Sequence, residues 1–122
     1  MLEDSLVLTP IDLDVEFGDD LSYRRGGVQD AVMRRLRRGY YRVEAELDLH
    51  GLIVAEAKRE LRDFLSRCIA RQQRCVRVIH GKGTGALRSR VGEMLKKDTR
   101  VAGFRLGAWN EGGAGVTVAE FT

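Results

Sequence analysis

This 122-residue chain has two histidines, and each closes a short apolar run against a glycine: LDLHG at Leu47 to Gly51 and VIHGKGTG at Val78 to Gly85. Histidine is the side chain whose unperturbed pKa lies nearest neutrality, which suits it to proton transfer. Strand ends followed by glycine loops are where α/β folds place phosphate and substrate sites. In LDLHG, Asp48 and His50 fall on one face of an extended segment, about 6 to 7 Å apart at a rise of ~3.3 Å per residue. In HGKGTG, glycines let backbone approach an anion closely, and Lys82 and Arg88 add charge. The pattern predicts two imidazoles around a phosphodiester. Asp48, His50 and His80 are the candidate catalytic residues; Gly81, Lys82, Gly83, Thr84, Gly85 and Arg88 are the candidate phosphate-binding set.

Each histidine also has a structural alternative. His50 can hold the strand end by a hydrogen bond to Asp48, and His80 can anchor a turn through local backbone. GKGTG is not a Walker A loop, which needs four residues between its first glycine and Gly-Lys-Ser/Thr, and it lacks the dinucleotide-binding spacing. Nucleotide hydrolysis is therefore not expected. Glu46 is the sole carboxylate near Asp48 on that face, too few for a nuclease that gathers carboxylates around metal ions, so no metal and no cofactor are expected. Trp109, beside a glycine-rich turn, has two readings: a stacking platform for a base, or the commoner fate of a strand-end aromatic, packing in the core.

The elements that must position these residues follow from periodicity. Val28 to Arg38 carries Val28, Ala31, Val32 and Leu36 on one helical stripe among arginines, with Gly39 at the C-cap position. Glu44 to His50 alternates as a strand with one buried face, and Val54 to Gln72 repeats apolar residues at helical spacing. Cys75 to His80 is a second strand, giving a β-α-β unit with parallel strands, a right-handed crossover and both strand ends at one sheet edge. Ala86 to Lys97 is a further helix, and Arg100 to Trp109 and Gly115 to Phe121 are strands joined by a turn at Asn110 to Ala114. The expected fold is α/β, a two-layer sandwich of order βαβαββ. Its mixed four-stranded sheet carries two helices on one face, its second face stays largely open, and a short basic helix and an acidic arm precede it. The expected division is an irregular arm at 1–27, the basic helix and connector at 28–43, and the main domain at 44–122.

Composition narrows the partners. The chain is 43% hydrophobic and 32% charged, has no apolar run able to span a bilayer and no signal-peptide pattern, so a cytoplasmic protein without membrane contact is expected. Cys68 and Cys75 form neither a CxxC pair nor a zinc-binding spacing and read as reduced thiols. The net charge of +3 conceals an asymmetry: residues 1 to 20 hold seven acids and no base, while the rest carries 21 Lys and Arg against 11 acids, a formal +10. Such a body suits a polyanion, with Arg34, Arg35, Arg37 and Arg38 as auxiliary nucleic-acid contacts. The acidic arm folds over that body in competition with nucleic acid, contacts a basic ribosomal protein, or, as the default, is merely solubilising. No dimerisation heptad is present, which favours a monomer.

LDLHG, HGKGTGALR and GGAGVTV, spread from Leu47 to Val118, together resemble the three signature segments of the Smr (small MutS-related) domain. The run GVQDAVMRRLRRGYYRVEAELDLHG is similar to the region leading into the domain in stand-alone proteobacterial members. The family's Asp-x-His pair falls on Asp48 and His50, and its HGxG segment on His80, Gly81, Lys82 and Gly83. The resemblance implies an endonuclease fold related to the C-terminal domain of translation initiation factor three, acting on RNA or nicking DNA, with some members cleaving messenger RNA at collided ribosomes. RNA is favoured over DNA as the expected partner, with the ribosome as a second one. The expected reaction uses the RNA 2′-hydroxyl as nucleophile, His50 as general base oriented by Asp48, and His80 or Lys82 assisting the leaving group. A non-catalytic RNA- or ribosome-binding module and a DNA-nicking or branched-DNA-binding repair protein are the alternatives.

Overall fold

The structure, a computed structural model, describes residues 22–122; the acidic segment 1–20 lies outside the described residues. The elements are β1 (Ser22–Arg24), α1 (Asp30–Arg37), β2 (Ala45–Asp48), α2 (Val54–Ala70), β3 (Cys75–Ile79), α3 (Ala86–Lys97), β4 (Val101–Leu106) and β5 (Val116–Phe121). Two short 3₁₀ turns, Trp109–Glu111 and Gly113–Gly115, connect the last two strands. The sheet order is β1-β4-β5-β3-β2. β2 and β3 are parallel, and the other pairs are antiparallel.

The two-residue period of the strands divides the sheet into two faces. Ala45, Leu47, Val76, Val78, Phe104 and Ala119 face α2 and α3, whose stripes of Ala57, Leu61, Phe64, Leu65, Cys68, Val91 and Leu95 complete the main core. This is the expected two-helix layer. On the other face Cys75, Val116 and Val118 pack against Met33 and Leu36 of α1. That face was expected to stay largely open, and α1 covers part of it instead. An eight-residue helix is too short to persist alone in water; burial of Met33 and Leu36, each 1% exposed, contributes roughly 1.5–3 kcal/mol apiece and fixes α1 in place.

The sheet also has one strand more than the four expected. Ser22, Tyr23 and Arg24 pair with Arg105, Phe104 and Gly103, although they lie in a segment read as irregular. Three residues show no usable period. Pairing to the free edge of β4, together with the Tyr23 ring tilted against Phe104 at 5.5 Å, makes them a strand. Gly103 is where these pieces converge, since a Cβ there would sit 2.6 Å from both Met33 Sδ and the Tyr23 carbonyl oxygen.

The parallel register sets Asp48 beside Ile79, and Ile79 sits opposite Val116. The C-terminal ends of β2 and β3, the N-terminal end of β5 and the starts of α2 and α3 therefore share one sheet edge.

Candidate active site

β2 ends at Asp48 because its side chain captures the chain that follows. Asp48 Oδ1 accepts the His50 backbone N–H at 3.0 Å and meets His50 Nδ1 at 2.6 Å, an Asx-type turn that competes with continuation of the strand. Gly51, at φ +81°, carries the chain round toward α2. Leu49 between them is fully buried and donates its N–H to the Ile79 carbonyl at 2.6 Å, so the turn is pinned to β3. A carboxylate oxygen only accepts, so Nδ1 carries the proton and Nε2 is the basic nitrogen. The His50 side chain is 68% exposed. The bond from the His50 ring, and then that from its backbone, holds the Asp48 carboxyl below its usual range. Asp48 therefore remains ionised throughout the neutral range.

His80 is built differently. It is 4% exposed, with Nδ1 at 3.0 Å from the Gly81 carbonyl and Nε2 at 2.8 Å from Thr117 Oγ1. The carbonyl fixes the proton on Nδ1, and in the neutral ring the Thr117 hydroxyl donates to Nε2. The His80 and Gly81 N–H groups both donate to the Gly115 carbonyl at 3.0 Å. The third sequence motif thus holds up the second. Thr117 and Gly115 are the positioning residues to which sequence reasoning assigned no role; the available signal was Thr117, the polar residue on the face of β5 that otherwise carries Ala119 and Phe121.

The two motifs meet across the strand ends. A Cβ at Gly81 would lie 3.4 Å from His50 Cβ, which places the start of the glycine loop against the Asp48–His50 turn. Gly81 and Gly85 adopt φ of +79° and +87°, and Gly83 +39°, the left-handed region that glycine enters without steric cost. Lys82, Gly83 and Thr84 are exposed. Thr84 Oγ1 accepts the Ala86 N–H at 3.3 Å at the start of α3, whose first turn has no acidic residue. The Arg88 guanidinium lies over Gly85, within 3.0 Å of where a Cβ would be. The loop residues and Arg88 are thereby gathered at one helix N-terminus, where the dipole favours an anion.

Other candidates sit apart from this turn. Arg34, Arg35 and Arg37 are on α1, with Arg38 just after it, across the second face. Its last turn is tied to the sheet where Arg105 Nε donates to the Leu36 carbonyl at 2.5 Å. Glu46 is paired with Arg77 on the neighbouring strand, which leaves Asp48 as the carboxylate committed to histidine. Cys68 and Cys75 are buried free thiols, and burial pushes Cys75 up to about 12, far from a nucleophilic thiolate. Trp109 is 91% exposed and is not the core residue that strand-end aromatics commonly are.

Fold and site together define a mixed α/β protein with a carboxylate-oriented histidine beside a glycine-rich, cation-bearing loop at the sheet edge. The Smr domain family model matches residues 47–122, and the chain belongs to that family. Endonuclease MutS2 of Gemmatimonas aurantiaca is 65% identical over 75 residues, covering 62% of this chain and 9% of the relative. Endonuclease MutS2 of Symbiobacterium thermophilum is 52% identical over 75 residues, with 62% and 10% covered. The chain spans about a tenth of the length of these curated relatives. The crystal structure of the Smr domain of Thermus thermophilus MutS2 aligns with a TM-score of 0.63 at 44% identity, covering 65% of this chain and 99% of that one. YdaL, a stand-alone small MutS-related protein from Escherichia coli, aligns with a TM-score of 0.76 at 30% identity, covering 83% and 82%. Coverage of that extent reaches residues before Leu47, so the likeness to YdaL extends beyond the family match.

Proposed function

We propose that this chain is an endonuclease that cleaves RNA by attack of the substrate's own 2′-hydroxyl. The observation that carries the reading is the exposed Asp48–His50 pair, with Nε2 as its basic nitrogen, set against the GKGTG loop. His50 Nε2 takes the proton of the 2′-hydroxyl, the 2′-oxygen bonds to phosphorus, and the bond from phosphorus to the 5′-oxygen breaks. That oxygen takes a proton from the Lys82 ammonium, leaving a 2′,3′-cyclic phosphate and a 5′-hydroxyl. Asp48 holds the imidazole in the productive tautomer and stabilises the imidazolium, as carboxylates do in acyl-transfer triads. Arg88 and the loop amides stabilise charge on the phosphorane. His80, with both ring nitrogens engaged and its side chain buried, positions the loop rather than moving a proton. The edge supplies one committed carboxylate, which supports chemistry built on the RNA's own nucleophile.

The substrate context of this reading is messenger RNA on stalled or collided ribosomes, met in the cytoplasm by a monomer; the family resemblance and the formal +10 charge of residues 21 to 122 support it. The test is a labelled RNA incubated with the protein in EDTA, followed by analysis of the product ends. Cyclic phosphate and 5′-hydroxyl ends are expected, together with resistance of a substrate carrying a 2′-deoxy nucleotide at the cleavage site. Cleavage abolished by EDTA, or equal cleavage of DNA, would remove the mechanism. Binding without cleavage by the wild type would leave a recognition module.

A further inference from the structure

We propose that Trp109 is a stacking platform for an unpaired nucleobase, forming a second binding subsite on the same sheet edge as Asp48 and His50. The inference rests on the nucleic-acid reading above. A tryptophan carries a large apolar surface that folded proteins mostly bury, yet this one is 91% exposed. A fixed frame holds it out. Glu111 Oε1 accepts the Ala108 N–H at 2.8 Å and an Arg105 N–H at 2.6 Å, while Oε2 takes a second Arg105 contact at 3.2 Å. Arg105 is itself 8% exposed. Gly113 N–H donates to the Ala108 carbonyl at 2.9 Å, and Gly107 N–H to the Val116 carbonyl at 2.9 Å. Gly112, at φ +109°, admits no side chain, because a Cβ would lie 2.4 Å from Val116 Cγ2. The ring is thus displayed from both sides by a part-buried ion pair and backbone bonds.

Its position selects the occupant. The turn that carries Trp109 ends at Gly115, whose carbonyl holds the His80 and Gly81 amides, so platform and phosphate loop share one support. Trp109 follows β4, and from β4 across β5 and β3 to β2 is three strand spacings, about 14 Å, a gap that a short single strand bridges. The last turn of α1, with Arg35 and Arg37, is joined to the same frame through the bond from Arg105 to Leu36. Cations and an exposed aromatic borne by one frame form the combination that binds single-stranded nucleic acid, since every base offers a π-face and the backbone is drawn by charge.

Trp109 is the chain's one tryptophan, so its emission reports the subsite directly. Binding is followed independently by the anisotropy of a short labelled single-stranded RNA. On saturation with the unlabelled RNA, emission is expected to fall. Trp109→Ala is expected to weaken binding roughly 5- to 150-fold, with the salt dependence unchanged because no ionic contact is lost, and Trp109→Phe to retain most of the affinity. Duplex RNA, whose bases are paired, should bind without the quench. Rising anisotropy with unmoved emission and an unaltered Trp109→Ala affinity overturns the platform. Loss of ribosome association in Trp109→Ala, with oligonucleotide affinity unchanged, also overturns it, in favour of a protein-contacting surface. Binding and quenching without cleavage would refute the nuclease reading and leave the platform standing; failure to bind any oligonucleotide would remove both.

Discussion

At the residue scale, Asp48 and His50 are a local device. One carboxylate oxygen serves both the backbone and the ring two residues on, and no distant part of the chain is needed to form that pair. His50→Ala and Asp48→Asn are each expected to lower cleavage by about 10²- to 10⁴-fold, the usual worth of a positioned general base. RNA affinity should stay close to wild type in the anisotropy assay. His80 shows the opposite dependence, because its surroundings come from β5. Thr117→Val removes the hydroxyl that His80 Nε2 meets inside the protein and is expected to cost about 1–3 kcal/mol in urea unfolding. The sequence placed both histidines at strand ends equally well. It gave His80 the stronger structural alternative but not its burial, since burial of a side chain by a strand 37 positions away leaves no local signature.

At the element scale, periodicity made the longer pieces legible. The repeating apolar positions of α2 and α3 and the alternation of β2 and β3 each encode a buried face. A three-residue strand and an eight-residue helix carry too few positions to declare where they pack, so β1 was missed and the covering role of α1 was misjudged. Gly103 joins both to β4 at close range. Gly103→Ala is therefore expected to destabilise the fold by about 1–3 kcal/mol through overpacking, measured as a lower urea midpoint at unchanged m-value. A change confined to the β2 end of the sheet would contradict this. The hydrogen-bonded frame around Trp109 was equally hidden, because an exposed and a buried tryptophan look alike in a sequence.

At the scale of the whole molecule, charge distribution governs both partner and pH response. Removing any of the exposed cations of α1, or Lys82, is expected to weaken RNA binding and flatten its logarithmic salt dependence by about 0.7 per lost phosphate contact. An unaltered slope would show that the cation makes no such contact. Glu120 lies fully buried, with one oxygen on Arg74 and the other without a hydrogen-bond partner among the described residues. Burial pushes its carboxyl above the usual value, and the Arg74 contact only partly opposes this. The folded state then holds its proton more tightly than the unfolded chain. The stabilisation is complete below the unfolded pKa and is lost as pH rises through the folded one. Asp98 and Glu111, held low chiefly by hydrogen bonds from Arg100 and Arg105, behave inversely, stabilising above the ordinary carboxylate range and losing that contribution on acidification. Glu120→Gln should accordingly gain about 1 kcal/mol over the wild type near neutral pH and little or nothing near pH ~4, as read from urea midpoints. An equal gain at both pH values would assign the effect to packing. The sequence by itself determined the β-α-β core, the Asp48–His50 pair and the glycine loop, because each is written in local spacing and in conformations that only particular residues adopt. Only the tertiary structure decided that His80 is interior, that Gly115 and Thr117 support the loop, that β1 completes the sheet and α1 covers part of its second face, and that Trp109 faces solvent, because each depends on contacts between segments far apart in the chain.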